Sequence, residues 1–97
     1  MVFAVIRTRG PAWQDGRRLE DQVDWPTHAS FMNALAKEGF VILGGPLEGT
    51  PDVLLIVRAD NADEVRTRLA EDPWADQLLR VTRVTPWTLR LGSLDQR

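Results

Sequence analysis

Val2 to Arg9 is rich in β-branched and aromatic residues and predicts a strand. Gly10-Pro11 stops it, and the polar stretch from 10 to 24, with Asp15-Gly16 and Arg17-Arg18, predicts a long loop. Loops of that length in small domains are often functional. Apolar positions then recur at helical spacing. Phe31, Met32 and Leu35 form one stripe, with His28 a turn earlier on the same face. Asp24 predicts an N-cap, Pro26 fits the first turn and Gly39 fits the stop, so the helix spans Trp25 to Glu38. Two nearly unbroken apolar runs follow, Phe40 to Leu43 and Val53 to Val57, separated by Gly44-Gly45-Pro46 and the turn Glu48-Gly49-Thr50-Pro51. Asp60 or Asn61 caps a second helix, with Glu64 as the capping-box partner of Asn61. Its buried stripe is Ala62, Val65 and Leu69, and Asp72 continues that stripe three positions on. Pro73 ends the helix, and Trp74 to Leu79 adds one short helical turn. Val81 to Leu91 is the last strand, which Pro86 assigns to a sheet edge.

The order is β-α-β-β-α-β, which predicts an α+β, ferredoxin-like fold: a four-stranded antiparallel sheet with two helices on one face. Following the strand directions, the first helix begins and the second helix ends at the same end of the sheet. His28 and Asp72 share that end with the 10–24 loop and Gly44-Gly45. The chain reads as one domain over residues 1–92, with a flexible tail over 93–97. Two helices cover only one face of such a sheet, yet the two unbroken apolar strands call for burial on both. The simplest cover is the same face of a second copy, so a homodimer joined through its sheet faces is expected.

Composition narrows the partners. Apolar residues make up 43% of the chain and charged residues 27%, as in ordinary globular proteins. The formal net charge of -2 gives no basic field to gather nucleic acid. No run approaches the ~18 apolar residues of a membrane span, so no membrane contact is expected and a cytoplasmic setting is the default. Cysteine is absent, which excludes disulfides, thiolate metal sites and a cysteine nucleophile. One histidine and scattered carboxylates form no recognisable metal set, and no cofactor is expected.

The candidate chemistry therefore centres on the single histidine. Imidazole accepts and donates protons near neutrality, and a carboxylate on one ring nitrogen fixes the tautomer while the other nitrogen works as acid or base. His28 with Asp72 fits that pattern, although a histidine packed at a helix start is an ordinary structural feature. Asp72-Pro73 is equally a cap for a new turn, and a cap can also orient a histidine. Ser30 lies two residues from His28 on a helix and does not face it, so a Ser-His-Asp triad is not expected. Arg7 and Arg9 alternate onto one strand face; they can grip an anion, but pairing with local acids such as Asp15 or Glu20 is the simpler expectation. Trp25 and Trp74 are the better candidates for an aromatic wall, and Gly45 for close backbone approach by a ligand. Trp87 reads as core or interface.

Pro26-Thr27-His28, Gly39, Gly45-Pro46, Asp72-Pro73-Trp74, Val84 and Pro86-Trp87 occur in an order and spacing that resembles the YciI family (YCII-related domains) of the dimeric α+β barrel superfamily. The family is similar to muconolactone isomerase and other small cofactor-free enzymes. The resemblance implies a dimer with a pocket holding a histidine and an aspartate, here His28 and Asp72. A few members act on chlorinated aromatic breakdown products. Members often carry an arginine three positions before the histidine; this chain has Trp25 there, and Arg17 or Arg18 is the expected substitute from the loop. The expected function is proton transfer on a small carbonyl-bearing or cyclic molecule, of isomerase, lyase or dehydrohalogenase type. The alternative is a non-catalytic dimeric module that binds a small metabolite through the same pocket.

Overall fold

The computed structural model describes residues 1–94. Its elements are β1 (Val2–Arg9), a 3-10 turn (Leu19–Asp21), α1 (Trp25–Lys37), β2 (Val41–Pro46), β3 (Asp52–Arg58), α2 (Ala62–Leu69) and β4 (Leu79–Pro86). The four strands form one antiparallel sheet in the order β2-β3-β1-β4. This is the expected ferredoxin-like α+β arrangement. Residues 95–97 of the expected tail lie outside the described residues. Among the described residues no helix is long and apolar enough to cross a membrane.

The core follows from strand parity. Phe3, Val5 and Arg7 of β1 are buried, while the residues between them are only half-buried. Phe3 and Val5 sit opposite Val57 and Leu55 of β3. They pack with Leu35, Phe40, Val41, Val65 and Leu69 beneath the helices. At about 25 cal/mol per Å2 of apolar surface removed from water, this cluster is the main stabilising term. A second, smaller cluster joins Trp74, Leu78 and Leu79 with Trp13, Trp25 and Val53.

Several boundaries differ from the sequence reading. β2 does not stop at Leu43 but runs through Gly44 and Gly45 to Pro46, which an edge strand tolerates. A Cβ at Gly44 would meet Leu55 Cδ2 at 2.6 Å, so a larger residue there would have to displace that side chain. β4 begins two residues early, at Leu79 opposite Arg9, and ends at Pro86 rather than Leu91. It is an edge strand, as Pro86 indicated. Asn61 caps α2 as expected, accepting from Glu64 N at 2.8 Å, but the Glu64 carboxylate accepts from Asp60 N rather than from Asn61. Asp24 makes no side-chain cap; it adopts a left-handed conformation at φ 60°, which a short polar side chain tolerates.

One irregularity positions the site. The β1–β4 register shifts between Ile6 and Arg7: Ile6 pairs with Arg83 and Arg7 with Val81. Such bulges re-aim side chains at strand ends. The shift lies directly beside Arg7, the one buried charged residue of β1.

Candidate active site

His28 stands in the first turn of α1, where its backbone N–H bonds the Asp24 carbonyl at 3.0 Å. Asp72 follows α2, and its backbone N–H bonds Leu69 O at 3.2 Å. The fold brings the two side chains into contact. His28 Nδ1 lies 2.9 Å from Asp72 Oδ1 and 2.8 Å from Oδ2. An ionised carboxylate only accepts, so Nδ1 carries the proton and Nε2 is left as the free acceptor of the neutral ring. Among the described residues nothing bonds Nε2.

Asp72 also caps the turn after it. Its Oδ1 accepts from Trp74 N at 3.0 Å, so the carboxylate that contacts His28 also caps this turn. Oδ2 accepts from Arg7 Nη1 at 2.7 Å, and both side chains are wholly buried. Burial alone pushes the Asp72 carboxyl upward, but the bonds from His28 and Trp74 N–H, together with the Arg7 charge, hold it below the usual aspartate value. Burial pulls the Arg7 guanidinium down from its ordinary value, against the pull of Asp72. An arginine so placed still stays charged.

Arg7 corrects the sequence reading. It pairs with neither Asp15 nor Glu20; instead Nε and Nη2 fork onto the Leu79 carbonyl at 3.1 and 2.7 Å while Nη1 holds Asp72. The missed signal was parity: Arg7 continues the Phe3-Val5 face, where an arginine needs a buried acid. The buried cation nearest the pair thus comes from β1, not from the loop arginines.

The indole of Trp74 stacks on the imidazole with centroids 3.8 Å apart and planes 7° apart. Its Nε1–H donates to Val23 O at 2.6 Å, tying the chain just before α1 to the turn after α2. Trp74 was expected at the pocket wall; it is instead fully buried, behind the imidazole. Trp25 flanks both rings at 5.8 Å.

His28 borders a cavity of about 410 Å3, within the size range of small-ligand pockets. Its apolar walls include Trp13, Leu19, Trp25, Met32, Val53 and Leu55, and His28, Gly45, Arg17, Arg18 and Arg9 also line it. Of the residues expected to bind substrate, Arg17, Arg18, Trp25 and Gly45 therefore border it, whereas Trp74 does not. Arg18 is engaged by Asp21 at 3.1 Å, and Arg9 lies over the Trp13 ring at 4.6 Å. The Arg17 guanidinium has no bonding partner among the described residues. The loop owes its path to Gln22, which sequence reasoning overlooked. This buried amide accepts from Gln14 N and donates to Gln14 O, both at 2.9 Å, and donates to Arg17 O at 3.3 Å. Among the described residues no group of three or more His, Asp and Glu is placed to hold a metal ion.

The model of the YCII-related domain family matches residues 1–88. The chain belongs to that family. Among solved structures, this YCII-related domain is similar to 5-chloro-2-hydroxyhydroquinone dehydrochlorinase (TftG) from Burkholderia phenoliruptrix AC1100, in complex with 2,5-dihydroxybenzoquinone. The two are 23% identical with a TM-score of 0.59, over 91% of this chain and 94% of that chain. At that identity the likeness establishes the fold. No curated protein matches the YCII-related chain.

Proposed function

We propose that this YCII-related domain is a small cofactor-free enzyme that moves a proton on a small cyclic or carbonyl-bearing molecule, with His28 as general acid/base and Asp72 as its orienting partner. The observation that carries this reading is the bond from His28 Nδ1 to Asp72, with the same residue bordering the cavity. Nε2 takes a proton from carbon or hydroxyl, and the imidazolium is stabilised through Nδ1–H on the carboxylate. The proton then returns to another atom, as in an isomerase. In a dehydrohalogenase, halide departs instead with the electron pair of its bond, and the imidazolium releases its proton to water. Because Arg7 balances Asp72, protonation of His28 adds a positive charge, which favours a substrate that becomes anionic in the transition state. Trp25 and Gly45 would contact the substrate, and Arg17 and Arg18 would meet its anionic edge. Trp74 would support the ring from behind. The dehydrochlorinase activity and quinone ligand named for the similar structure support this class of chemistry as the first to assay.

We also infer a homodimer through the open sheet faces. Leu43 in β2 remains 58% exposed and Trp87 after β4 46% exposed, which supports an apolar surface seeking cover. Light scattering on the eluting protein should give twice the 11.0 kDa chain mass. A single-chain mass at micromolar concentration would remove this inference.

The functional test is a panel of hydroxyquinones, chlorinated hydroquinones and cyclic ketones, assayed for turnover and chloride release. Turnover lost in a folded His28→Gln variant supports the enzyme. Binding retained without turnover by either protein identifies a binding module instead.

A further inference from the structure

We infer that Arg7 is a positioning residue for the His28–Asp72 pair: it locks the carboxylate in place and sets how tightly the imidazole holds a proton. This inference rests on the proton-transfer reading above. Each Asp72 oxygen takes two donors. Oδ1 receives Trp74 N–H and His28 Nδ1–H; Oδ2 receives Arg7 Nη1–H and the same Nδ1–H. The carboxylate cannot rotate without breaking one of these bonds. The guanidinium is itself pinned by its fork on Leu79 O, at the point where the β1–β4 register shifts. A buried ion pair is poor economy if stability is its only purpose, since apolar replacements are often neutral or stabilising. Its position suggests another purpose.

Arg7 and the imidazole bind the same oxygen, so the cation lies within about 5.5 Å of the ring nitrogen, close enough to oppose its protonation strongly in a buried setting. Without Arg7 the carboxylate's charge would face the ring uncompensated, and the imidazole would hold a proton more tightly. The other charged groups bordering the cavity are Arg9 of β1, Arg17 and Arg18 of the loop and Asp52 of β3. Arg18 and Asp52 have partners of their own in Asp21 and Thr8. Arg9 and Arg17 are exposed to solvent, which screens them.

His28 is the only histidine, so NMR of isotope-labelled imidazole reads this site alone and needs no substrate. In Arg7→Met, and in Arg7→Gln, which keeps a polar donor but no charge, the titration midpoint should rise by about one pH unit or more, a tenfold gain in proton affinity. Arg7→Lys, which keeps the charge and loses the fork, should stay within about half a unit of the parent protein. An unmoved midpoint in a folded neutral variant overturns the inference, as does a lysine variant shifted as far as the methionine one. If neither neutral variant folds, the lysine variant is read instead, and a midpoint more than about half a unit from the parent overturns the inference. A failure here leaves proton transfer by His28 standing. Conversely, full turnover by His28→Gln would remove the proposed function and leave this titration result intact.

Discussion

Replacing Asp72 with asparagine isolates the charge at the centre of the site. Asparagine keeps the shape and can still accept the Trp74 N–H through Oδ1, so the cap survives. What disappears is the counter-ion of Arg7, whose side chain is wholly buried and 2.7 Å from the carboxylate. A buried charge stripped of its partner costs about 3–5 kcal/mol. For a chain of this size each kcal/mol lowers Tm by roughly 4–8 °C, so Asp72→Asn should melt at least ~12 °C below the parent. The double variant Arg7→Met, Asp72→Asn carries neither charge, and methionine replaces the apolar stem of the arginine. It should be destabilised by less than the sum of the singles, by about 2 kcal/mol or more. Urea unfolding followed by tryptophan fluorescence measures all four corners of the cycle. A loss under about 1 kcal/mol for Asp72→Asn, or strict additivity in the double variant, would refute the claim that Arg7 and Asp72 are a dependent buried pair.

Acid should unfold the protein partly through Asp72. Its carboxyl is held below the ordinary value in the folded state, so its contribution to stability is fully present above the unfolded aspartate value of ~3.9 and is lost as pH falls through the lowered one. A stability-versus-pH curve for the parent should therefore fall more steeply below about pH 4 than that of Asp72→Asn; parallel curves would count against it. Gly10→Ala should cost about 1–3 kcal/mol in urea unfolding, because the new Cβ would press on the Gln77 carbonyl, which is backbone and already bonded to Ala12 N. Trp74→Ala should cost about 3–5 kcal/mol, since the indole is fully buried and bonds Val23 O. Trp74→Phe should cost less, because it keeps part of the packing while losing that bond, which a melting series checks.

That His28 and Asp72 lie at one end of the sheet was legible from connectivity; that their side chains touch at 2.8 Å was not. With β-α-β-β-α-β order the start of α1 and the end of α2 share one end of the sheet, whatever the loops do. Strand boundaries were less legible where glycine is read as a stop. At Gly44 the Leu55 side chain of the neighbouring strand stands where a Cβ would go, a fact of cross-strand packing, whereas Gly45 pairs with Leu54 and has open space around it. Arg7 was misassigned for a similar reason. A charged residue near the end of a strand looks like a surface residue, and its partner Asp72 lies 65 positions away. Parity with Phe3 and Val5 held the clue, but only together with a buried acid. Trp74 was placed at the wall because a tryptophan beside a site suggests contact with ligand, whereas its ring is spent on the imidazole. Gln22, the clamp of the loop, has no local signature at all.

The central claim is that the imidazole held by Asp72 moves protons on a bound small molecule. The most direct measurement is exchange of carbon-bound ligand protons with D2O, followed by NMR, using 2,5-dihydroxybenzoquinone and the tightest-binding cyclic ketone of the panel. The parent protein should accelerate exchange over buffer, and a folded His28→Gln variant that still binds the ligand should lose about 100-fold or more of that acceleration. Equal acceleration by both proteins, or none by the parent at saturating ligand, would contradict it.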